Sequence, residues 1–376
     1  MPAMRLELIP HCWEGILSPQ CLPFHHAGLA SILYYYNTAF ICKSPKFCYN
    51  DLMKKNLCLF ISVICAAVLL NSCSRTAGAQ SSNSEESAFS AAIVYMTKDI
   101  SPEGLMRIYE ALGLKADGNV AVKISTGEPG NPHFLSPDLI KGLVQNVGGT
   151  IVETNTAYGG RRASTALHYQ VARDHGFTAI APVVILDERA DISLAVDGGK
   201  HLRENFVGAR YAEFDFHIVL SHFKGHQMGG FGGALKNLSI GYASAAGKGW
   251  IHSGGKSKTN PWGGEQNDFL ESMAEAAKTI VEDNRGRILY INVMNHLSVD
   301  CDCNGRPKPP TMADIGILGS LDPVALDQAS VDLVFAAADG QDLVERINSR
   351  NGLLTINHAE LIGIGSKEYV IIDLDG

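Results

Sequence analysis

Nowhere in the 376 residues does an apolar run reach the roughly 20 residues that cross a bilayer comfortably. The nearest candidate, Leu57 to Leu70, has only the length of a signal-peptide core. Basic residues are scarce too, with 31 Lys and Arg against 39 Asp and Glu. Six of the basic and three of the acidic residues fall in the first eighty positions, so the remainder carries 25 against 36, a net charge of −11. Such a surface repels phosphate backbones, because nonspecific nucleic-acid binding rests on Lys and Arg contacts. No nucleic-acid partner is expected. Cysteine is missing between Cys73 and Cys301 and again after Cys303, so no disulfide framework organises this stretch. No internal repeat is present.

What is there begins with an export signal. Lys54-Lys55 precede the apolar run, and Asn71-Ser72-Cys73 follow it, the layout of a secretory signal. Leu70-Asn71-Ser72-Cys73 resembles the lipobox of bacterial lipoproteins, in which the cysteine becomes the lipidated first residue. The expected organisation is therefore residues 1–52 as an extension from a start codon placed too early, and 53–73 as signal peptide. Residues 74–90 form a flexible tether, Ser/Glu/Asn-rich from Gln80 to Ser87, and 91–376 the folded domain. The product would be a periplasm-facing lipoprotein touching the membrane only through Cys73. A cut after Ala77-Gly78-Ala79, before Gln80, would instead release a soluble periplasmic protein.

Beyond the tether, strand-like and helix-like stretches alternate. Strands are expected at 91–96, 120–124, 150–153, 179–186, 216–221, 287–293 and 315–318, and helices at 102–112, 137–147, 163–175, 269–283 and 324–338. Asp322-Pro323 supplies a cap and a first-turn proline for the last of these helices. Alternation of this kind predicts an α/β fold with a mostly parallel sheet covered by helices. Whether it forms one sheet or two lobes stays open at this level. Two segments break the alternation, Ser221–Gly264 and Asn295–Pro310, both rich in Gly, Pro, His, Lys or Cys. They read as long functional loops.

The first of these holds His222, Lys224, His226, Gly230, Gly232, Gly233 and Lys236, with His252 further on. Three imidazoles can ligate a transition metal, and glycines expose N–H groups to anions. The second holds Asp300-Cys301-Asp302-Cys303, whose thiols and carboxylates can converge on a metal or close as a disulfide-linked turn. A combined site, in which His222 or His226 meets Cys301 or Cys303, needs the fold to join the two loops. Neither Gly230-Phe231-Gly232-Gly233 nor Gly255-Lys256-Ser257 completes a nucleotide-binding pattern. His133 and His168 read as surface or packing residues, and Arg161-Arg162 after Tyr158-Gly159-Gly160 as a solvated turn sooner than an anion contact.

Together, Ser-His-Phe-Lys-Gly-His at 221–226, Gly-Phe-Gly-Gly-Ala-Leu-Lys-Asn at 230–237, Cys-Asp-Cys at 301–303, Asp-Ile-Gly-Ile-Leu at 314–318 and Asp-Pro-Val-Ala-Leu-Asp at 322–327 resemble the family called domain of unknown function 362. That resemblance implies no activity. A segment running from His226 through Gly230, Phe231, Gly233 and Lys236 to His252 is similar, more distantly, to one in nickel-pincer lactate racemases. It implies Lys236 as a cofactor-attachment lysine, His252 as a metal ligand and His226 as an acid/base at a hydroxy-acid carbon. Gly232 stands where those enzymes have serine, and Ala234 where they have glycine.

The resulting expectation is an exported metalloprotein, with a divalent transition metal (nickel, zinc or iron) near His222, His226, His252, Cys301 and Cys303. Lys236, Lys224 and the N–H groups of Gly230, Gly232 and Gly233 would hold a small anionic molecule, with His226 and Lys236 catalytic. Racemase- or isomerase-like chemistry is the enzymatic form of this expectation. The alternative is a non-catalytic periplasmic protein that binds a small anion or metal.

Overall fold

Residues 91–376 are described by a computed structural model. The expected extension, signal peptide, lipidated Cys73 and tether lie outside the described residues. Alternation from the sequence becomes strand β1 (Ala92–Thr97), helix α1 (Pro102–Ala111), β2 (Val120–Lys123), α2 (Pro137–Asn146), β3 (Thr150–Glu153), α3 (Thr165–Asp174) and β4 (Val183–Ile185). Local chemistry sets several boundaries. The Ser101 hydroxyl accepts the N–H of Gly104 at 3.0 Å, and proline opens α1 where no amide is needed. After β4 come a hairpin of β5 (Asp191–Ala195) and β6 (Glu204–Gly208), then the long strand β7 (Phe216–His222).

The segment after β7 is a correction to the expected irregular loop. It contains the short hairpin β8 (Lys224–His226) and β9 (Gly230–Gly232), then α4 (Ala234–Ser239) and α5 (Ala245–His252). Its glycines read as loop composition, yet several serve close packing. A side chain on Gly225 would meet the backbone of Val299, and one on Gly230, at φ +81°, would come within 2.9 Å of the Gly352 Cα. The chain continues through α6 (Gln266–Asp283), β10 (Ile288–Met294), β11 (Gly316–Ser320), α7 (Pro323–Ala336), α8 (Gln341–Ser349), α9 (Leu353–Leu361) and β12 (Tyr369–Asp373). Residues 295–310, the other expected loop, contain no helix or strand.

Eight strands form one sheet in the order β12-β1-β11-β10-β7-β2-β3-β4. Only β11 runs against the rest, because it pairs antiparallel with both β10 and β1 while the other pairings are parallel. This settles the question of two lobes in favour of one large sheet with two small hairpins beside it. The central strands β7 and β10 are buried on both faces, as a sheet covered on both sides requires. Ile218 and Leu220 pack into one core with α1 and α2, while Val219, Tyr290 and Met294 pack into the other with α4, α6 and α7.

The connections place the site. From β2 the chain steps outward to β3 and β4, and from β7 it steps the other way to β10. Neighbouring strands whose connections diverge leave a crevice beyond their carboxyl ends. Here that crevice opens between β2 and β7.

Candidate active site

Parallel strands end on the same side, so β2, β3 and β7 deliver Lys123, Glu153 and Ser221-His222 to one cleft. From above, β8, β9 and α4 add Lys224, His226, Gly232, Gly233 and Lys236, and the 295–310 segment adds Cys301, Asp302 and Cys303. The cleft encloses about 750 Å³, its open mouth included. Its walls carry five cations, Lys123, Arg162, Lys224, Lys236 and Lys248, against the carboxylates of Glu153 and Asp302. That excess suits an anion.

Most of the cations are already engaged. Lys123 reaches the Ile124 carbonyl at 2.6 Å, Asn237 at 3.1 Å and Glu153 at 3.3 Å. Arg162 bridges Glu128 at 3.0 Å and Glu153 at 3.1 Å. Lys224 meets Asp302 at 3.0 Å and the His133 carbonyl at 2.5 Å. Lys248 donates to the Thr154 hydroxyl at 2.5 Å and the Ala243 carbonyl at 2.7 Å. Lys236 differs, since no hydrogen bond or ion pair engages its ammonium among the described residues. Burial first, then repulsion from Lys123 and Arg162, bring its pKa down to about 8. Gly232 leaves room for its stem, because a Cβ there would lie 3.0 Å from the Lys236 Cδ.

His226 is buried, and its Nδ1 accepts the N–H of Gly229 at 2.8 Å. A neutral ring held this way carries its proton on Nε2. Burial, then the charges of Lys236 and His252, push its pKa well below the ordinary imidazole value, so the neutral form prevails near neutral pH. Ligand atoms of His226, Cys301 and Cys303 all lie within 4.8 Å of one another, a group that could hold a metal ion. The fold thus brings His226 of one segment beside Cys301 and Cys303 of the other, whose sulfurs are joined as a disulfide.

Two expected ligands, His222 and His252, line cavity walls but fall outside that group. His222 has Nδ1 against the Asp302 carboxylate and Nε2 against the Asn295 carbonyl, both at 2.9 Å. With both nitrogens facing protein acceptors, it anchors Asp302 and stands apart from the sulfur group. Burial would raise the Asp302 pKa, but His222 and Lys224 outweigh it and hold the carboxyl at about 2. His252 donates from Nδ1 to the Lys248 carbonyl at 2.7 Å and turns Nε2 to the Tyr158 hydroxyl at 3.2 Å. It stacks on Phe269 and lines a second, open cavity of about 1160 Å³, its mouth included, whose wall shares His226, Tyr158, Cys301 and Cys303 with the first. Gly232 and Gly233 line the first cleft, while Gly230 packs against Gly352 instead.

Residues 120–332 match the family described as domain of unknown function (DUF362). The chain belongs to that family. The matched span of this DUF362 protein includes every side chain that lines the first cleft. A comparison with curated proteins finds no match. Among solved structures, the lactate racemase apoprotein of Thermoanaerobacterium thermosaccharolyticum is similar at 12% identity and a TM-score of 0.40, covering 64% of this chain and 56% of that one. A structural-genomics protein of Thermotoga maritima is similar at 14% identity and a TM-score of 0.35, covering 69% and 58%. The DUF362 chain therefore spans less than two thirds of either structure, and its fold assignment rests on its own strand order.

Several lining residues escaped the sequence reading. Arg162 is the clearest correction, since it is 3% exposed and clamped between two glutamates where a solvated turn was expected. Lys123 and Glu153 end apolar strands, and a charge at the carboxyl end of a buried parallel strand was the available signal. Lys248 sits in a Gly-rich helix and gave no such sign. His168 is buried and bonds the Thr126 hydroxyl at 3.1 Å, a packing role as expected.

Proposed function

We propose that the cleft is an active site for a small anionic substrate, bound by the Lys236 ammonium and acted on by His226. The observation carrying this is Lys236: alone among the five cations of the cleft, it has no partner among the described residues. Lys236 is half-buried in the cleft wall, and a ligand carboxylate or phosphate would give its ammonium the partner the protein does not supply. His226, with its proton on Nε2 and Nδ1 holding the Gly229 N–H, is oriented to donate a hydrogen bond from Nε2 to a substrate oxygen, and it takes a proton from substrate only once Nδ1 or Nε2 is freed. A 2-hydroxycarboxylate offers both features, an anionic head and a C–H or O–H centre beside it.

In the dithiol state Cys301 and Cys303, with His226, fit an ion that favours sulfur and nitrogen, such as zinc, nickel or iron. When bound, it would supply Lewis-acid polarisation of a substrate oxygen. The same Nε2 cannot donate a proton and ligate a metal at once. His226 therefore serves one role or the other in a given state of the site.

The test is ligand-induced thermal stabilisation with lactate and malate as probes, in the native protein and in Lys236→Met. Saturable stabilisation is expected in the native protein. Its affinity should fall about tenfold to a hundredfold in the variant, the size of a lost charge-assisted hydrogen bond. Equal binding by both proteins would remove Lys236 from the proposal. Proton exchange at the substrate's α-carbon, followed by NMR in deuterated water and abolished in His226→Gln, separates an enzyme from a binder.

A further inference from the structure

We propose that Cys301 and Cys303 form a reversible dithiol–disulfide couple whose oxidation state decides whether the cleft holds a metal ion. This rests on the metal-site reading of His226 and the two cysteines given above. In the structure the two sulfurs are bonded to each other. As a disulfide they offer no thiolate, and the metal set is incomplete; as a dithiol they complete it.

Three observations point to a working couple rather than a staple. First, the bond joins residues two apart in sequence. In the chain-entropy account a cross-link stabilises through the loop it closes, and so short a loop gains little. Second, neither cysteine is buried, and both line the walls of the two adjoining cavities. A small dithiol can therefore reach the sulfurs through either mouth.

Third, other contacts hold the loop. Its centre is fixed by Asp302, which pairs with His222 at 2.9 Å and Lys224 at 3.0 Å. The Asp302 carbonyl accepts the Glu128 N–H at 2.8 Å, and the Asn304 carbonyl accepts from the Asn131 amide at 3.1 Å. Opening the S–S bond leaves all of these contacts in place. The sulfurs would remain beside His226.

The chemistry balances as a two-electron exchange. A dithiol reductant attacks the S–S bond, both Cys301 and Cys303 emerge as thiols, and the reductant leaves as its own disulfide. Uptake of one divalent ion then releases the two thiol protons.

The experiment compares the full chain as oxidised protein and after treatment with dithiothreitol without denaturant, followed by anaerobic desalting. Alkylation of the peptide containing Cys301 and Cys303 is read by mass spectrometry, and bound zinc by elemental analysis after dialysis against zinc alone. Both cysteines should become alkylated only after reduction. Zinc should then bind in one equivalent to the reduced protein and protect both cysteines, while the oxidised protein stays zinc-free. Cysteines that resist reduction until the protein is unfolded would overturn the couple. Equal zinc binding by both forms would overturn its control of the metal. Reduction without zinc binding by either form would leave the couple standing and remove the metal-site reading beneath it.

Discussion

Lys236 was visible in the sequence as a lysine in a glycine-rich segment, but its distinguishing property, the absence of a partner among the described residues, exists only in three dimensions. Its lowered pKa carries a prediction. If the charged form is what binds the proposed anion, affinity should hold below about pH 8 and decline above it, by about tenfold per pH unit. An ordinary lysine would keep its charge to about pH 10. Titrating lactate affinity between neutral and alkaline pH checks this, and affinity unchanged up to pH 10 would contradict it. Arg162 shows the opposite failure of legibility. A pair of arginines after two glycines looks solvated, and only the buried glutamates at positions 128 and 153 explain why one of them turns inward.

At the scale of elements, α4 carries Lys236 and owes its placement to α7. Asp327 on α7 accepts the N–H groups of Ala234 at 2.7 Å and Leu235 at 2.9 Å, satisfying two free amides at the start of α4. Burial pushes the Asp327 pKa up to about 6 against these bonds and that of Asn292. Gly233 makes this approach possible, since a Cβ there would overlap the Asp327 carboxylate. Gly233→Ala should therefore cost about 1–3 kcal/mol, the usual penalty for overpacking a tight contact, read as a lower denaturation midpoint in urea. An unchanged midpoint would mean that α4 is not held this way. Sequence patterning located α7 from Asp322-Pro323, while α4 and α5 were masked by glycines that mimic a loop.

For the whole molecule, buried histidines set the response to acid. Burial depresses His252 to about 4 and His217 to about 3, and His226 is also lowered. A group with a depressed folded pKa contributes stability that is complete above its unfolded value, near 6.5, and is lost as pH falls through the folded one. Asp327, raised to about 6, works the other way, its contribution being lost as pH rises through that value. Burial lowers His168 as well and raises Asp322, so four buried histidines stand against two carboxyls. Thermal denaturation should therefore show the midpoint falling as pH drops from 6.5 to 4. A flat or rising midpoint across that window would show that the histidines are not held neutral.

Strand and helix alternation, the parallel sheet and the two chemistry-bearing segments follow from sequence alone, because burial on both faces writes itself into continuous apolar runs and helices into their caps. Which residues share the cleft does not. Lys123, Glu153 and His226 are far apart in the chain and meet because divergent connections between β2 and β7 open a crevice there. The pairing of His226 with Cys301 and Cys303, and the diversion of His222 to Asp302, likewise depend on how the 295–310 segment folds over β8. A hydrophobic period is a property of neighbours along the chain; a site is a property of neighbours across it, and only packing decides those.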